Sequence, residues 1–282
     1  MSNHRKDILR KDILLGAYFT SKPHPQHAYS VQRSSFDYLA DWYHSCRRLN
    51  LDVVLLHDEL EPAFVEKYTR FYNENSRGTL HFEQVTLGPY TAADERFHHA
   101  LAYLRHHPCE QAFMVDVSDA WFKRSPFPLV RHRRWWDFVD LGAIQQVRSL
   151  PGLMRTLQAQ GRILRRRDDY RLFVGGETTC IGENRWMLKH FDKVYGQRFA
   201  FLEDKPVLNC GILGGAYSEV VALLDSMCAE MERLHITDTL NDMAVFNKLL
   251  HEHYPGQVYA NGVLNSPWKS YLKTGHYHIF HK

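Results

Sequence analysis

The segment MVDVSDAWF, residues 114–122, places two carboxylates, Asp116 and Asp119, three positions apart directly after the apolar run AFMV. Carboxylate oxygens are hard donors, and two of them converging in one turn suit Mg²⁺ or Mn²⁺. Such an ion masks the charge of a diphosphate and makes it a competent leaving group. The same residues also suit a plain turn, with Asp116 and Ser118 bonding nearby amides and Asp119 capping the next segment. The local string leaves both readings open.

Four further segments carry residues of the same kind. In LNCGILGG, residues 208–215, a glycine lets the backbone approach a ligand closely. There the Asn209 amide can both donate to and accept from a sugar hydroxyl, although the string alone reads first as a strand with a tight exit turn. In TDTLNDMAVFN, residues 237–247, Asp238 or Thr239 can cap a helix and leave Asp242 in its first turns. A carboxylate there stays ionised in the helix dipole, ready to grip or deprotonate a hydroxyl; plain capping is the alternative. In HYHIFHK, residues 276–282, an extended chain would turn His276 and His278 to one side and His281 to the other. One histidine can complete a metal shell, and Lys282 can meet phosphate as a point charge. Arg96, in TAADERFHHALAYL, lies opposite the apolar set Phe97, Leu101 and Leu104. It can lead into a diphosphate site or pair with a neighbouring acid.

These residues need a frame. Residues 13–20 (ILLGAYFT), 51–56 (LDVVLL), 80–87 and 112–115 read as strands, and 27–49, 64–72 and 92–106 read as helices between them. Thr91 is the cap of the last of these, with Asp94 and Glu95 in its first turn. Strand alternating with helix predicts a mostly parallel sheet flanked by helices. Further on, 149–167, 218–234 and 238–251 read as helices, with strands at 172–174 and 207–213. Gly214-Gly215 forms the exit of the last strand. With no internal repeat and no linker-like stretch, residues 1–282 read as one domain.

The 282 residues are enough for a substantial core without disulfide staples. A net charge of +3 excludes a strongly basic nucleic-acid binder. The five cysteines, Cys46, Cys109, Cys180, Cys210 and Cys228, are dispersed and form no CxxC pair, which predicts reduced thiols and a cytoplasmic protein. The opening MSNHRKDILRKDILLGAYF carries charges through its apolar stretch and is a poor signal peptide. No run approaches the ~18 apolar residues of a spanning helix. The chain still suits a soluble piece, trimmed from a larger protein with additional domains or membrane-associated machinery.

Taken in order, GAYFTS, VVLLHDEL, YTAADERF, MVDVSDAWF, LNCGILGG, LNDMAVFN and HIFHK resemble GT-A-type glycosyltransferases, like the small transferase domains of viral and bacterial glycan-building proteins. The resemblance implies a single α/β, Rossmann-like domain. It also implies transfer of a sugar from a nucleoside-diphosphate donor, UDP-linked, to a glycan or glycolipid hydroxyl with the help of Mn²⁺ or Mg²⁺. By position it implies Asp116, Asp119 and His281 as metal ligands, with His278 as the second choice of histidine. Ala17, Tyr18, Thr20 and Asp58 fall where base and ribose are held. Asp94, Arg96, Asn209, Gly211 and Lys282 fall along the donor sugar and diphosphate, and Asp242 on the acceptor side. The family's usual acidic motif is Asp-x-Asp, whereas two residues separate the acids here.

If configuration inverts, the acceptor needs a base, for which Asp242 is the candidate and Asp238 or Glu177 the substitutes. Two other readings remain. A nucleotidyltransferase shares such a sheet but usually has a glycine-rich basic loop after its first strand, where this chain reads GAYFTSKPHP. A non-catalytic carbohydrate-binding module would keep the pocket and need not keep the acids.

Overall fold

The computed structural model describes residues 10–23, 32–140, 143–144, 147, 149–266, 268 and 275–281. Their strands are β1 (Arg10–Tyr18), β2 (Val53–His57), β3 (Leu80–Gln84), β4 (Cys109–Val115), β5 (Ala120–Phe122), β6 (Leu172–Cys180), β7 (Pro206–Ala216), β8 (Val258–Ala260) and β9 (Ile279–His281). Among the described residues these make a seven-stranded sheet in the order β3-β2-β1-β4-β7-β6-β8 and a small β5-β9 pair. β7 is antiparallel to both its neighbours and every other pairing in the large sheet is parallel, so β7 alone runs against the rest. This is the mostly parallel sheet that the strand–helix alternation predicts.

Parallel strands buried on both faces read as continuous apolar runs, and β1 shows why. Ile13 and Leu15 enter one core layer while Leu14 and Tyr18 enter the other. The first layer is closed by α3 (Ala92–His106), α6 (Arg185–Tyr195), α7 (Tyr217–Leu234) and α8 (Asp242–His253). The second is closed by α1 (Ala40–Arg48), α2 (Pro62–Glu74) and α4 (Phe127–Arg131), through Trp42, Tyr72 and Phe127 among others. A remaining helix, α5 (Leu150–Arg166), starts at a Ser149 cap and leaves Leu150, Met154 and Leu157 exposed.

The sequence places α3 to the residue. Thr91 caps it through its hydroxyl, which accepts from the Asp94 amide, and Arg105 and His106 sit in the last turn. Elsewhere the boundaries move for physical reasons. The helix expected over 27–49 is a 3₁₀ turn at Phe36–Tyr38 followed by α1, and residues 24–31 lie outside the described set. The helix expected from 238 starts at Asp242, and its N-cap, Asn241, makes no side-chain capping bond. The Asp94 carboxylate does that work instead, accepting from the Asn241 amide at 3.1 Å and the Asp242 amide at 2.9 Å. A cap supplied from α3 is invisible to a local reading. Gly214 and Gly215 continue β7 rather than ending it. A Cβ on Gly214 would overlap the Phe113 ring, so the glycine serves packing there.

No helix among the described residues is long and apolar enough to cross a membrane. All five cysteines are free thiols.

Candidate functional site

In this sheet β1 pairs β2 on one side and β4 on the other, so the strand order reverses between β1 and β4. Open α/β sheets bind ligands outside the carboxyl ends of the strands at such a reversal. β4 ends at Val115 and delivers Asp116 there. A cleft of about 500 Å³ opens at this point, and Ala17, Arg96, Asp116, Asp119, Asn209, Gly211, Asp242 and His281 all contribute to its wall.

Asp116, Asp119 and His281 offer one donor atom each, all within 4.8 Å of one another. β9 brings the histidine into place: it runs antiparallel to β5, with His281 opposite Ala120, the residue after Asp119. The His281 main chain is tied down independently, its amide donating to Ser266 Oγ at 2.9 Å. His281 Nε2 lies 3.6 Å from Asp119 Oδ2. Asp119 Oδ1 and His281 Nδ1 are buried without a hydrogen-bond partner, and buried polar atoms are rarely left so. Gly211 forms the floor. A Cβ there would stand 2.6 Å from Asp116 Oδ2 and 3.0 Å from His281 Cε1, so only glycine leaves room between those donors. Two carboxylates and an imidazole suit a divalent ion of the Mn²⁺ kind, and these residues fit one. Burial pushes the Asp119 carboxyl up, but the His281 contact and the Arg96 charge outweigh it and hold the group below its ordinary value.

Arg96 crosses from α3 into the cleft. One guanidinium nitrogen donates to Asp116 Oδ1, and the other reaches Asp242 Oδ2 at 3.2 Å and Cys210 Sγ at 3.3 Å. The opposite-face position read from the helix thus becomes a bridge between the acid at the end of β4 and the acid at the start of α8. Behind it Asp94 is fully buried, and burial together with the Asp242 charge pushes its carboxyl up to about 7. Asp94 stands behind the cleft wall, holding the start of α8 and so aiming Asp242.

Asn209 lines the cleft, and its amide donates to Glu177 Oε1 at 3.2 Å. Ala17 is also in the wall, but Tyr18, Thr20 and Asp58 are not. They shape the loop after β1. Asp58 accepts from the amides of Thr20 at 2.9 Å, Ser21 at 2.7 Å and Glu59 at 2.7 Å. Burial opposes the charge on Asp58, and these bonds prevail, holding it below the usual range. The Tyr18 hydroxyl accepts from the Ser35 amide at 2.9 Å, and its ring stacks on Tyr38, which does line the cleft. Lys282 lies outside the described residues. Trp186, Trp268 and Lys22 also line the wall. Sequence reading passed over all three, although Trp186 opens α6 beside two usable signals, the Asn184 cap and Gly196 at φ +66°.

His278, the second choice of histidine, stands apart from the cluster. It is 8% exposed, and its Nδ1–H donates to the Ser125 carbonyl at 2.7 Å. Burial pushes its imidazole down to about 4. The unfolded chain binds that proton near its ordinary pKa of about 6.5, so it takes up a proton the native state refuses. The contribution is fully present above about 6.5 and is lost as pH falls toward 4, amounting to about 3 kcal/mol over the window. Urea unfolding at pH 7 and pH 5 checks this: between them the wild type should lose roughly 2 kcal/mol more than His278→Gln. Equal losses in the two proteins would refute it.

No family model matches the chain, and no curated protein matches it. Among solved structures the chain is similar to that of the galactosyltransferase LgtC in complex with donor and acceptor sugar analogs, with 14% identity, 96% of this chain and 86% of that chain covered, and a TM-score of 0.49.

Proposed function

We propose that this chain is a metal-dependent glycosyltransferase, one catalytic domain over residues 1–282, that moves a sugar from a nucleoside-diphosphate donor, UDP-linked, to a hydroxyl of a glycan or glycolipid. The observation that carries this reading is the cluster of Asp116, Asp119 and His281, with two buried donor atoms unpartnered, floored by Gly211 at the strand reversal. Bound there, Mn²⁺ or Mg²⁺ would mask the charge of the departing diphosphate.

The protein's own groups divide the remaining work. Arg96 is always charged and, standing against Asp116, adds positive charge beside the diphosphate. Asn209 and the bare backbone of Gly211 line the sugar's side of the cleft. Ala17 and Tyr38 form the wall toward β1, where base and ribose would lie. Tyr18, Thr20 and Asp58 support that wall from behind. Asp242 serves the acceptor side, held by Arg96 and by the Met243 amide at 2.7 Å. If the anomeric centre inverts, Asp242 takes the acceptor's proton. Glu177, held by Asn209 and Asn184, is the cleft's remaining carboxylate beyond Asp116, Asp119 and Asp242.

The test is a panel of nucleotide sugars assayed with Mn²⁺. Nucleoside diphosphate should be released, the release should stop in EDTA, and added Mn²⁺ or Mg²⁺ should restore it. Pyrophosphate as the product would show nucleotidyl transfer instead. Full turnover in the chelator would remove the metal from the reading.

A further inference from the structure

A second recess of about 570 Å³ adjoins the cleft and shares Lys22 and Trp186 with it. One of its walls is a single face of α6: Trp186, Lys189, His190 and Lys193 follow one another at i, i+3, i+4 and i+7. Trp186 is 40% exposed although it is a large apolar ring, and it stacks on His190 with ring centroids 3.7 Å apart. His190 is itself fixed, its Nδ1–H donating to the Trp186 carbonyl at 3.0 Å. The indole is therefore braced from behind with its surface open to the junction of the two recesses.

The charges around this platform have one dominant sign. Lys22 is held by the Gly88 carbonyl at 2.6 Å and by Glu95 at 3.4 Å, so its charge is already answered. Lys189 and Lys193 are exposed, and among the described residues neither has an ion-pair partner. Asp238 is the recess's only acid among the described residues. A braced aromatic face suits the C–H face of a pyranose ring, and two unanswered ammonium groups one helical turn apart suit an anion on that sugar.

We propose that this recess is the acceptor subsite and that it selects an anionic saccharide, whose ring lies on Trp186 and whose carboxylate or phosphate meets Lys189 and Lys193. The assignment rests on the glycosyl-transfer reading for the word acceptor, but the binding preference does not. It is therefore measured first without any donor. The probes are three disaccharides ending in glucose, glucuronic acid or glucose 6-phosphate, titrated into the intact protein by calorimetry.

Both anionic probes should bind roughly tenfold more tightly than the neutral one. The preference should vanish in about 0.5 M salt and in the Lys189→Gln/Lys193→Gln double variant, whose melting temperature should stay that of the wild type. Trp186→Ala should weaken all three probes together. The ratio between the two anionic probes tells carboxylate from phosphate. Equal binding of charged and neutral probes, or a preference that survives the double variant, overturns the proposal.

Release of nucleoside diphosphate to water is then compared in wild type and double variant. Unchanged release, with KM raised only for the anionic acceptor, places the recess on the acceptor's path. A probe preference in a protein that turns over no donor would sink glycosyl transfer and leave the anionic-saccharide site standing.

Discussion

Asp119→Asn is expected to lower the transfer rate by roughly 10²–10⁴-fold, the equivalent of several kcal/mol of charge stabilisation in the transition state. The change keeps the size and shape of the side chain and removes only the charge that a cation needs. Asp119 is half-buried at the end of a turn, and its Oδ1 has no partner in the protein to lose. The fold should therefore hardly notice, with the melting temperature of the metal-free protein within a degree or two of wild type. The second readout is metal itself. Mn²⁺ should raise the melting temperature of the wild type by mass action on the native state, and Asp119→Asn should abolish most of that rise. A variant that keeps both full turnover and the Mn²⁺-induced rise would show that Asp119 is only a turn residue.

Arg96→Ala should behave in the opposite way, costing stability as well as activity. Its guanidinium holds Asp116 and Asp242 together, with side chains of Arg96 and Asp242 only 12% and 7% exposed. Asp94 is buried immediately behind, and Asp119 is close by. Removing this cation leaves the Asp116 and Asp242 carboxylates facing each other without the guanidinium that joins them. Breaking a buried pair from one side costs about 3–5 kcal/mol, a fall in melting temperature on the order of 10 °C for a chain of this size. The double variant Arg96→Ala/Asp242→Asn should recover part of that loss, because it removes one of the stranded charges. Mn²⁺ should recover part of it too, by restoring positive charge near Asp116. A melting temperature unchanged in Arg96→Ala would mean that the acids are solvated rather than held by the arginine. No rescue by Asp242→Asn would uncouple the two residues.

The parts of the fold legible in the sequence are those that local chemistry decides. α3 carries its own start signal in Thr91 and its own dipole complement in Asp94, Arg105 and His106, and it forms where it was read. The apolar runs of β1, β2 and β4 are long enough to identify themselves. Misread features share a different cause, namely that a partner distant in sequence decides them. α8 begins at Asp242 because Asp94, almost 150 positions earlier, caps it. Gly214 stays in its strand because Phe113 needs the space. The same division runs through the site. Acid spacing at Asp116 and Asp119 announces a turn with two donors, but the histidine spacing alone does not choose between His278 and His281; the β5–β9 pairing brings His281 beside Asp119. Glu177, a substitute base in the sequence, and Trp186, beside the Asn184 cap, gain their place in the cleft from the packing of β6 and α6.

The pairing of β9 with β5 also sets an order of events during synthesis. Every described strand of the large sheet has been made once the ribosome has passed Ala260, while β9 is still to be synthesised. The residues made by then include Asp116 and Asp119 at the end of β4, with Arg96 on α3 and Asp242 on α8. They supply the two carboxylates of the cluster without the His281 imidazole, and the Arg96 guanidinium stands beside them. The third donor arrives with His281, when the short strand β9 pairs with β5. The full donor set of Asp116, Asp119 and His281 therefore waits on a segment made after every described strand of the large sheet.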